Sequence, residues 1–169
     1  MRSLSDVTLF GGAGVVVEQR LANVLLERVT LEGHDAAYGA ALLAKFGSAV
    51  ELRGCVLRGN RARAGGLVKD AGTDLTGRGG AIALVYASAT LSNCELRENE
   101  ATLGGAAYVV SSALLARGSS FASNRAVSHG GAVAGVLSSL HFAGGLLVNN
   151  SAAGEGGAVW GSENAQVWI

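Results

Sequence analysis

Carboxylates and arginines are the charged side chains that could be gathered into a catalytic cluster, and they recur at fixed places in a repeating unit. A polysaccharide lyase or hydrolase needs two or three carboxylates, or a carboxylate beside a base, gathered on one outer face. Alternation of acids and bases at one place instead predicts solvated ion pairs. The shared places hold Glu27 with Arg53, Glu32 with Arg58 and Arg97, and Asp35 with Arg61, Glu100 and Arg125. The sequence therefore predicts no catalytic residues and no enzyme.

The remaining candidates for chemistry are three histidines and two cysteines. His34, His129 and His141 stand at different places in the unit, so stacking would not bring them together and no metal site is predicted. Cys55 and Cys94 share one place in successive units, at a distance that a disulfide can span. Two buried thiols that pack as small apolar groups are the alternative. The sequence leaves both arrangements open.

Composition excludes several kinds of partner. Lysine plus arginine and aspartate plus glutamate number 13 each, so the neutral chain has no electrostatic reason to bind nucleic acid or an anionic membrane. The apolar runs are too short for a membrane span, and no charged segment followed by an apolar one opens the chain as a signal peptide would. The glycine pairs match no phosphate-binding loop, so no cofactor is predicted.

A unit of about 26 residues recurs along the chain. Each copy has an asparagine followed two residues later by alanine, and a Gly-Gly pair five or six residues after the asparagine. The asparagine row comprises His34, Asn60, Asn99, Asn124 and Asn150. The corner glycines are Gly39, Gly65, Gly66, Gly79, Gly80, Gly104, Gly105, Gly130, Gly131, Gly156 and Gly157. We expect asparagine to bond the backbone and its stacked neighbours at a turn, and glycine to permit a tight corner.

One unit is longer than the others. Asn60 and Asn99 lie 39 residues apart, whereas the later asparagines are separated by 25 and 26 residues. Residues 67–78 lie between two Gly-Gly pairs in this unit, which predicts an inserted loop. The loop is either a solvated excursion or a contact loop on an otherwise regular rod. Its charged residues are Lys69, Asp70, Asp74 and Arg78.

Segments of strand length, separated by small residues, fill each unit, for example 81–86, 89–92 and 94–96. No unit contains ten residues with a helical apolar stripe, which argues against helical repeats. Three short strands per turn, stacked coil on coil at about 4.8 Å, would pair the backbone between coils. The sequence predicts an all-β parallel β-helix of about five to six coils. We expect one segment over 1–169, a fragment of a longer protein, because the chain stops in mid-unit.

Two motifs resemble those of a known family. Phe121-x-x-Asn124 with Gly130-Gly131-Ala132-Val133, and Gly79-Gly80-Ala81-Ile82, are similar to the F-x-x-N and G-G-A-[ILV] repeats of chlamydial polymorphic outer-membrane proteins. The resemblance extends from about residue 30 to the end, with leucine in place of phenylalanine in most copies. It implies a right-handed parallel β-helix with a surface-displayed, adhesin-like or stalk-like role.

These patterns favour a non-enzymatic structural or adhesion-like module of a surface or extracellular protein. Such a module would be a rigid rod for display and for binding a protein or glycan. One alternative is a polysaccharide lyase or hydrolase whose catalytic coils lie partly outside the segment. Another is a scaffold subunit of a large assembly that covers the outer residues Tyr86, Tyr108 and Trp160. We expect the rest of the chain or neighbouring subunits to cap the coil ends.

Overall fold

The computed structural model describes residues 2–11, 14–18, 22–63, 69–70, 73–74 and 76–169. These residues form a β-solenoid of about six stacked coils, in which equivalent strands lie about 26 residues apart. The strands of the stack pair in parallel, and the described residues contain no helix. The predicted all-β architecture, coil number and period are confirmed.

Each coil is built from short strands. The first two coils contain β1 (Arg2–Ser5), β2 (Thr8–Phe10), β3 (Val15–Val17), β4 (Asn23–Glu27), β5 (Thr30–Glu32), β6 (Asp35–Ala36) and β7 (Leu42–Lys45). The third contains β8 (Ala49–Arg53), β9 (Val56–Arg58), β10 (Arg61–Ala62), β11 (Lys69–Asp70), β12 (Thr73–Asp74) and β13 (Ile82–Val85). The fourth contains β14 (Ser88–Ser92), β15 (Glu95–Arg97), β16 (Glu100–Leu103) and β17 (Ala107–Val110). The fifth and sixth contain β18 (Ala113–Ala122), β19 (Arg125–His129), β20 (Val133–Val136), β21 (Ser139–Val148), β22 (Ser151–Ala152) and β23 (Val159–Ser162), and β24 (Gln166–Trp168) follows.

Three parallel sheets run along the stack. Sheet A contains β1, β4, β8, β14, β18, β21 and β24, together with a second line of β2, β5, β9 and β15. Sheet B contains β3, β7, β13, β17, β20 and β23, and sheet C contains β6, β10, β16, β19 and β22. A full coil therefore has four straight segments, where the sequence predicted three strands. The extra division is a corner within sheet A, where Arg28 and Asn93 have φ values of +51° and +52°.

The strand register stacks equivalent residues into interior rows. One row consists of Leu31, Leu57, Leu96, Phe121 and Leu147. Phe121 packs edge to face against Phe142, with ring centroids 5.7 Å apart. The small Gly135 lies close to the buried Leu140, since a Cβ there would lie 2.8 Å from Cδ1 of Leu140. Large and small residues thus alternate between neighbouring rows, which fills the tube at the density that protein interiors require.

The long third coil leaves the stack and returns to it. Its backbone still pairs at Arg63, whose N–H donates to the carbonyl of Ala36 at 2.8 Å. β11 and β12 then pair antiparallel as a small hairpin outside the parallel stack. The stack has resumed at Arg78, which forms parallel bridges with Tyr38 and Leu103. Gly77 and Arg78 therefore belong to the coil, whereas β11 and β12 lie outside the parallel ladder.

Candidate binding surface

The asparagines of successive coils form a continuous hydrogen-bonded ladder in the interior. The side-chain oxygen of Asn99 accepts hydrogen bonds from the backbone N–H of Asn60 at 3.0 Å and from its side-chain amide at 2.9 Å. The amide of Asn99 donates to the Leu57 carbonyl at 3.0 Å and to the side-chain oxygen of Asn124 at 2.9 Å. Asn124 makes the same contacts with Asn150. Each rung joins two coils by hydrogen bonds that are shielded from water.

His34 occupies the asparagine place of the second coil but does not extend the ladder. Its backbone N–H donates to the side-chain oxygen of Asn60 at 3.0 Å. The residue is 2% exposed, and neither ring nitrogen has a hydrogen-bond partner among the described residues. The chain of side-chain amides therefore begins at Asn60 and continues toward the C-terminal coils.

The corner glycines have two different physical roles. The first glycine of each described pair has a positive φ, between +64° and +68°, at Gly79, Gly104, Gly130 and Gly156, and the single Gly39 has a φ of +48°. The second glycine lies against the next coil. A Cβ on Gly105 would overlap the carbonyl oxygen of Gly131, and Gly80 and Gly131 are placed in the same way, whereas Gly157 has more room. Gly65 and Gly66 lie outside the described residues.

The inserted hairpin is described by its two strands, β11 and β12. Lys69 and Asp70 form β11, and Asp74 lies in β12, where it is opposite Lys69 in the antiparallel register. Their side chains lie outside the described part of the chain. The predicted contact loop therefore remains a prediction, and it does not include Arg78.

The strand register places the charged residues in the predicted rows, and their signs alternate except where Arg97 lies opposite Arg58. Arg58 lies opposite Glu32 and donates to its carboxylate at 2.7 Å. Glu100 lies between Arg61 and Arg125, with nitrogen–oxygen distances of 3.3 and 3.7 Å. Because these side chains are partly or well exposed, each pair contributes at most about 1 kcal/mol. The rows make sheets A and C charged and solvated on the outside.

The two cysteines stack in the interior as free thiols that are 1% and 3% exposed. The sulfur of Cys55 donates to the Leu26 carbonyl at 3.3 Å, and that of Cys94 donates to the Leu52 carbonyl at 3.4 Å. The adjoining sulfur of Cys55, together with burial, raises the pKa of Cys94, so this thiol holds its proton. Among the described residues no group of three or more His, Cys, Asp or Glu side chains could hold a metal ion.

The outer face of sheet B differs from the charged outer faces, because apolar side chains form a second cluster there. This outer cluster consists of Val85, Tyr108, Val110 and Ala134, with Tyr38, Leu103, Val136 and Trp160 packed around them. Tyr108 is only 2% exposed. The Arg78 guanidinium lies 4.9 Å from its ring centroid and donates to its hydroxyl at 3.2 Å. The chain itself therefore covers Tyr108, although the scaffold interpretation expected another subunit to cover it.

A groove of about 410 Å³ opens on the outer cluster. Its lining includes Arg78, Tyr86, Tyr108, Trp160 and Glu163. The sequence marked the three aromatic residues as outward-facing but gave no role to Glu163 or to the position of Arg78 in the coil. The repeat period could have indicated a shared surface, because Tyr108 and Trp160 occupy equivalent positions in units that are two apart. This groove is the candidate binding surface of the described structure.

The chain belongs by its architecture to the β-solenoids. No protein-family model, curated protein or solved structure matches it. Within the described ranges, the structure has no helix of the length and apolar character that a membrane crossing requires.

Proposed function

We propose that this chain is a non-enzymatic rod segment of a surface or extracellular protein, which displays its outer faces for binding. The observation that carries the proposal is the asparagine ladder, which joins Asn60, Asn99, Asn124 and Asn150 at 2.9 Å through their side-chain amides. A ladder of this kind holds successive coils in one register and resists bending between them. Rigidity of this sort suits a stalk or a display module.

The outer faces support the binding part of the proposal. On sheets A and C the charged rows pair their own acids and bases, so little net charge is left to attract a partner. On sheet B the outer cluster instead leaves aromatic side chains at the rim of a groove. The repeats similar to those of chlamydial polymorphic outer-membrane proteins support placement at a cell surface.

A scaffold role within a large assembly is the second candidate, and exposed apolar side chains in β21 and β24 favour it. Leu146 is 65% exposed, Val148 is 43% exposed and Val167 is 39% exposed. Exposed apolar side chains grouped at one end of the stack invite association with another polypeptide. This candidate predicts concentration-dependent assembly without a separate ligand.

The test is a retention assay with the chain coupled to beads. The beads are passed over surfaces that carry extracellular-matrix proteins and over polysaccharide surfaces, while released reducing ends are measured in the eluate. The proposal predicts fold-dependent retention on at least one surface with no soluble product. Release of sugar would establish the lyase or hydrolase alternative and overturn the proposal. Assembly of the free chain in sedimentation, with no retention on any surface, would support the scaffold role instead.

A further inference from the structure

The groove on the outer face of sheet B presents a flat aromatic wall that the chain holds in one orientation. Trp160 stacks on His129 with ring centroids 4.9 Å apart and an interplanar angle of 15°. Its indole nitrogen donates to the carboxylate of Glu155 at 3.1 Å. One face and the polar edge of the indole are thus occupied by the protein. The ring is pre-oriented, so a ligand that stacks on it loses no further side-chain freedom there.

The floor and the rim of the groove differ in polarity. Val110 is 5% exposed and Val136 is partly buried, and both line the groove as an apolar floor. The rim carries the hydroxyl-bearing Ser111 and Ser162 and the exposed carboxylate of Glu163. An apolar floor with a few polar groups at the edge is the usual composition of a small-molecule site.

The charges that line the groove balance. Arg78 supplies one positive charge, and its guanidinium already donates a hydrogen bond to the Tyr108 hydroxyl. Glu163, the last of the lining residues in the sequence, supplies one negative charge. An anionic ligand would meet the carboxylate and a cationic ligand would meet the guanidinium, so neither has a net attraction. A neutral ligand with hydroxyl groups can bond to both.

The rim is held by residues in an uncommon backbone conformation. Tyr86, Ser111, Leu137 and Glu163 occupy one corner of successive coils, with φ values of +52°, +47°, +49° and +50°. Glycine adopts such angles without strain, as it does at the Gly-Gly corners, but here side chains are kept. Tyr86 is 46% exposed and Leu137 is 52% exposed. The strain therefore places side chains at the groove where glycine would leave a bare corner.

We propose that this groove binds a neutral glycan, with the apolar face of one pyranose ring stacked on Trp160 and a more distant sugar of the same glycan chain against Tyr86, which lies three coils away. The sugar hydroxyls bond to Glu163 and to the serine hydroxyls of the rim. The groove volume of about 410 Å³ falls in the range of small-ligand sites. The inference rests on the proposed binding function and names its ligand class.

The test is a calorimetric titration of the intact chain with neutral hexasaccharides of glucose and of N-acetylglucosamine. A sulfated hexasaccharide and an apolar hexapeptide serve as comparison probes. We expect saturable binding of at least one neutral hexasaccharide and none of the comparison probes. Trp160→Ala should weaken that binding at least about tenfold, as loss of a central aromatic contact does.

A matched pair of variants keeps the test independent of folding. Tyr86 and Phe46 occupy the same corner at φ values of +52° and +55°, but only Tyr86 lines the groove. Tyr86→Gly and Phe46→Gly both remove a ring and both suit the backbone, so both should fold. Tyr86→Gly should weaken glycan binding about tenfold and Phe46→Gly should leave it unchanged.

Three results would overturn the inference: no neutral hexasaccharide binds, the peptide or the sulfated probe binds instead, or Phe46→Gly weakens binding as much as Tyr86→Gly does. Its failure is separable from failure of the proposed function. Retention of the beads on a protein surface, together with no binding of neutral sugars, would leave the display role standing and remove the glycan. If the beads are retained on no surface and no neutral sugar binds, both the display role and the glycan proposal are wrong.

Discussion

Sheet B presents two apolar faces that differ in how they repeat. Its inner face stacks a row of aliphatic residues, Leu42, Ile82, Ala107, Val133 and Val159. One position along, its outer face stacks Leu43, Ala83, Tyr108, Ala134 and Trp160, which range from a methyl group to an indole. Inner residues contact equivalent neighbours in every coil, so their chemistry stays the same. On the outer face the size of the stacked residue changes from coil to coil, so each coil contributes a different side chain to the groove.

The asparagine ladder is the strongest case of the repeating inside. Asn60, Asn99 and Asn124 have no exposed surface, and each bonds to backbone and side-chain atoms of two other coils. Replacing one of these asparagines therefore removes hydrogen bonds that join three coils. The charged rows of sheets A and C repeat as well, but they face water, where each contact is weak. Substitutions should rank accordingly, with interior changes costing most.

The largest effect on stability is expected from Asn99→Ala. It leaves the buried Asn60 N–H without its acceptor and removes the hydrogen bonds from the Asn99 amide to the Leu57 carbonyl and to Asn124, and a buried unsatisfied group costs about 1–3 kcal/mol. The free energy of unfolding should fall by about 3 kcal/mol or more, measured by urea titration with circular dichroism. Asn93→Gly is the control, because Asn93 is exposed at a φ of +52°. Equal midpoints for both variants would contradict the ladder's role.

The next largest effect is expected from Gly105→Ala. The added methyl group would overlap the carbonyl oxygen of Gly131, a backbone atom that cannot rotate away. We expect a loss of about 3 kcal/mol, at the upper end of the cost of overpacking. In the control Gly59→Ala the methyl group meets nothing within 4 Å, so only the positive φ costs energy, about 1 kcal/mol. Thermal unfolding of the two variants side by side measures the difference. A larger loss of stability in Gly59→Ala than in Gly105→Ala would contradict the prediction.

A charged outer row should respond far less. Glu100→Gln removes the partner of Arg61 at 3.3 Å and of Arg125 at 3.7 Å. Because these arginines are well exposed, we expect a change of about 0.5 kcal/mol or less in the free energy of unfolding. The change should shrink further in high salt, which screens exposed charges. A loss comparable to that of Asn99→Ala would show that the outer rows hold the fold.

The smallest effect concerns pH at the first coil. A hydrogen bond from Arg28 at 2.7 Å lowers the pKa of Asp6 from its usual value of 3.8. A lowered folded-state pKa means that the contribution to stability is complete above the unfolded-state pKa and is lost as the pH falls through the folded-state pKa. Asp6→Asn should therefore flatten the decline of the unfolding midpoint below about pH 4. An unchanged decline in the variant would show that this exposed pair contributes nothing measurable.

The inside of the coil was predictable because its signal is local and recurs at one period. The place of Asn99 in the ladder and the stacking of Cys55 on Cys94 follow from counting residues, and the strand register bears out the charged rows by the same logic. Counting also located the insertion. Its far boundary was placed too late, because Arg78 lies next to the glycine pair and looks like part of the loop, whereas it bridges to Tyr38 and Leu103.

The outside was less predictable because it depends on contacts between different rows. Tyr108 and Trp160 were expected on the outer face, but their supports come from another row, which holds Arg78 and His129. No spacing in the sequence links these two rows. The corner that divides sheet A was missed because the residue with a positive φ there changes from coil to coil, from Arg28 and Asn93 to Gly54 and Gly118.

The central claim is that the interior of the solenoid repeats from coil to coil, whereas the outer face of sheet B varies and binds a ligand. A proton–nitrogen NMR titration with a neutral hexasaccharide tests this claim most directly. The chain has two tryptophans. Trp160 lines the groove, and Trp168 is 47% exposed, 6.0 Å from His141 and outside the groove lining. We expect the signals of the Trp160 indole and of nearby sheet B amides to shift with ligand, and those of Trp168 and of the charged rows of sheets A and C to stay unchanged. Shifts confined to Trp168 or to the charged rows would contradict it.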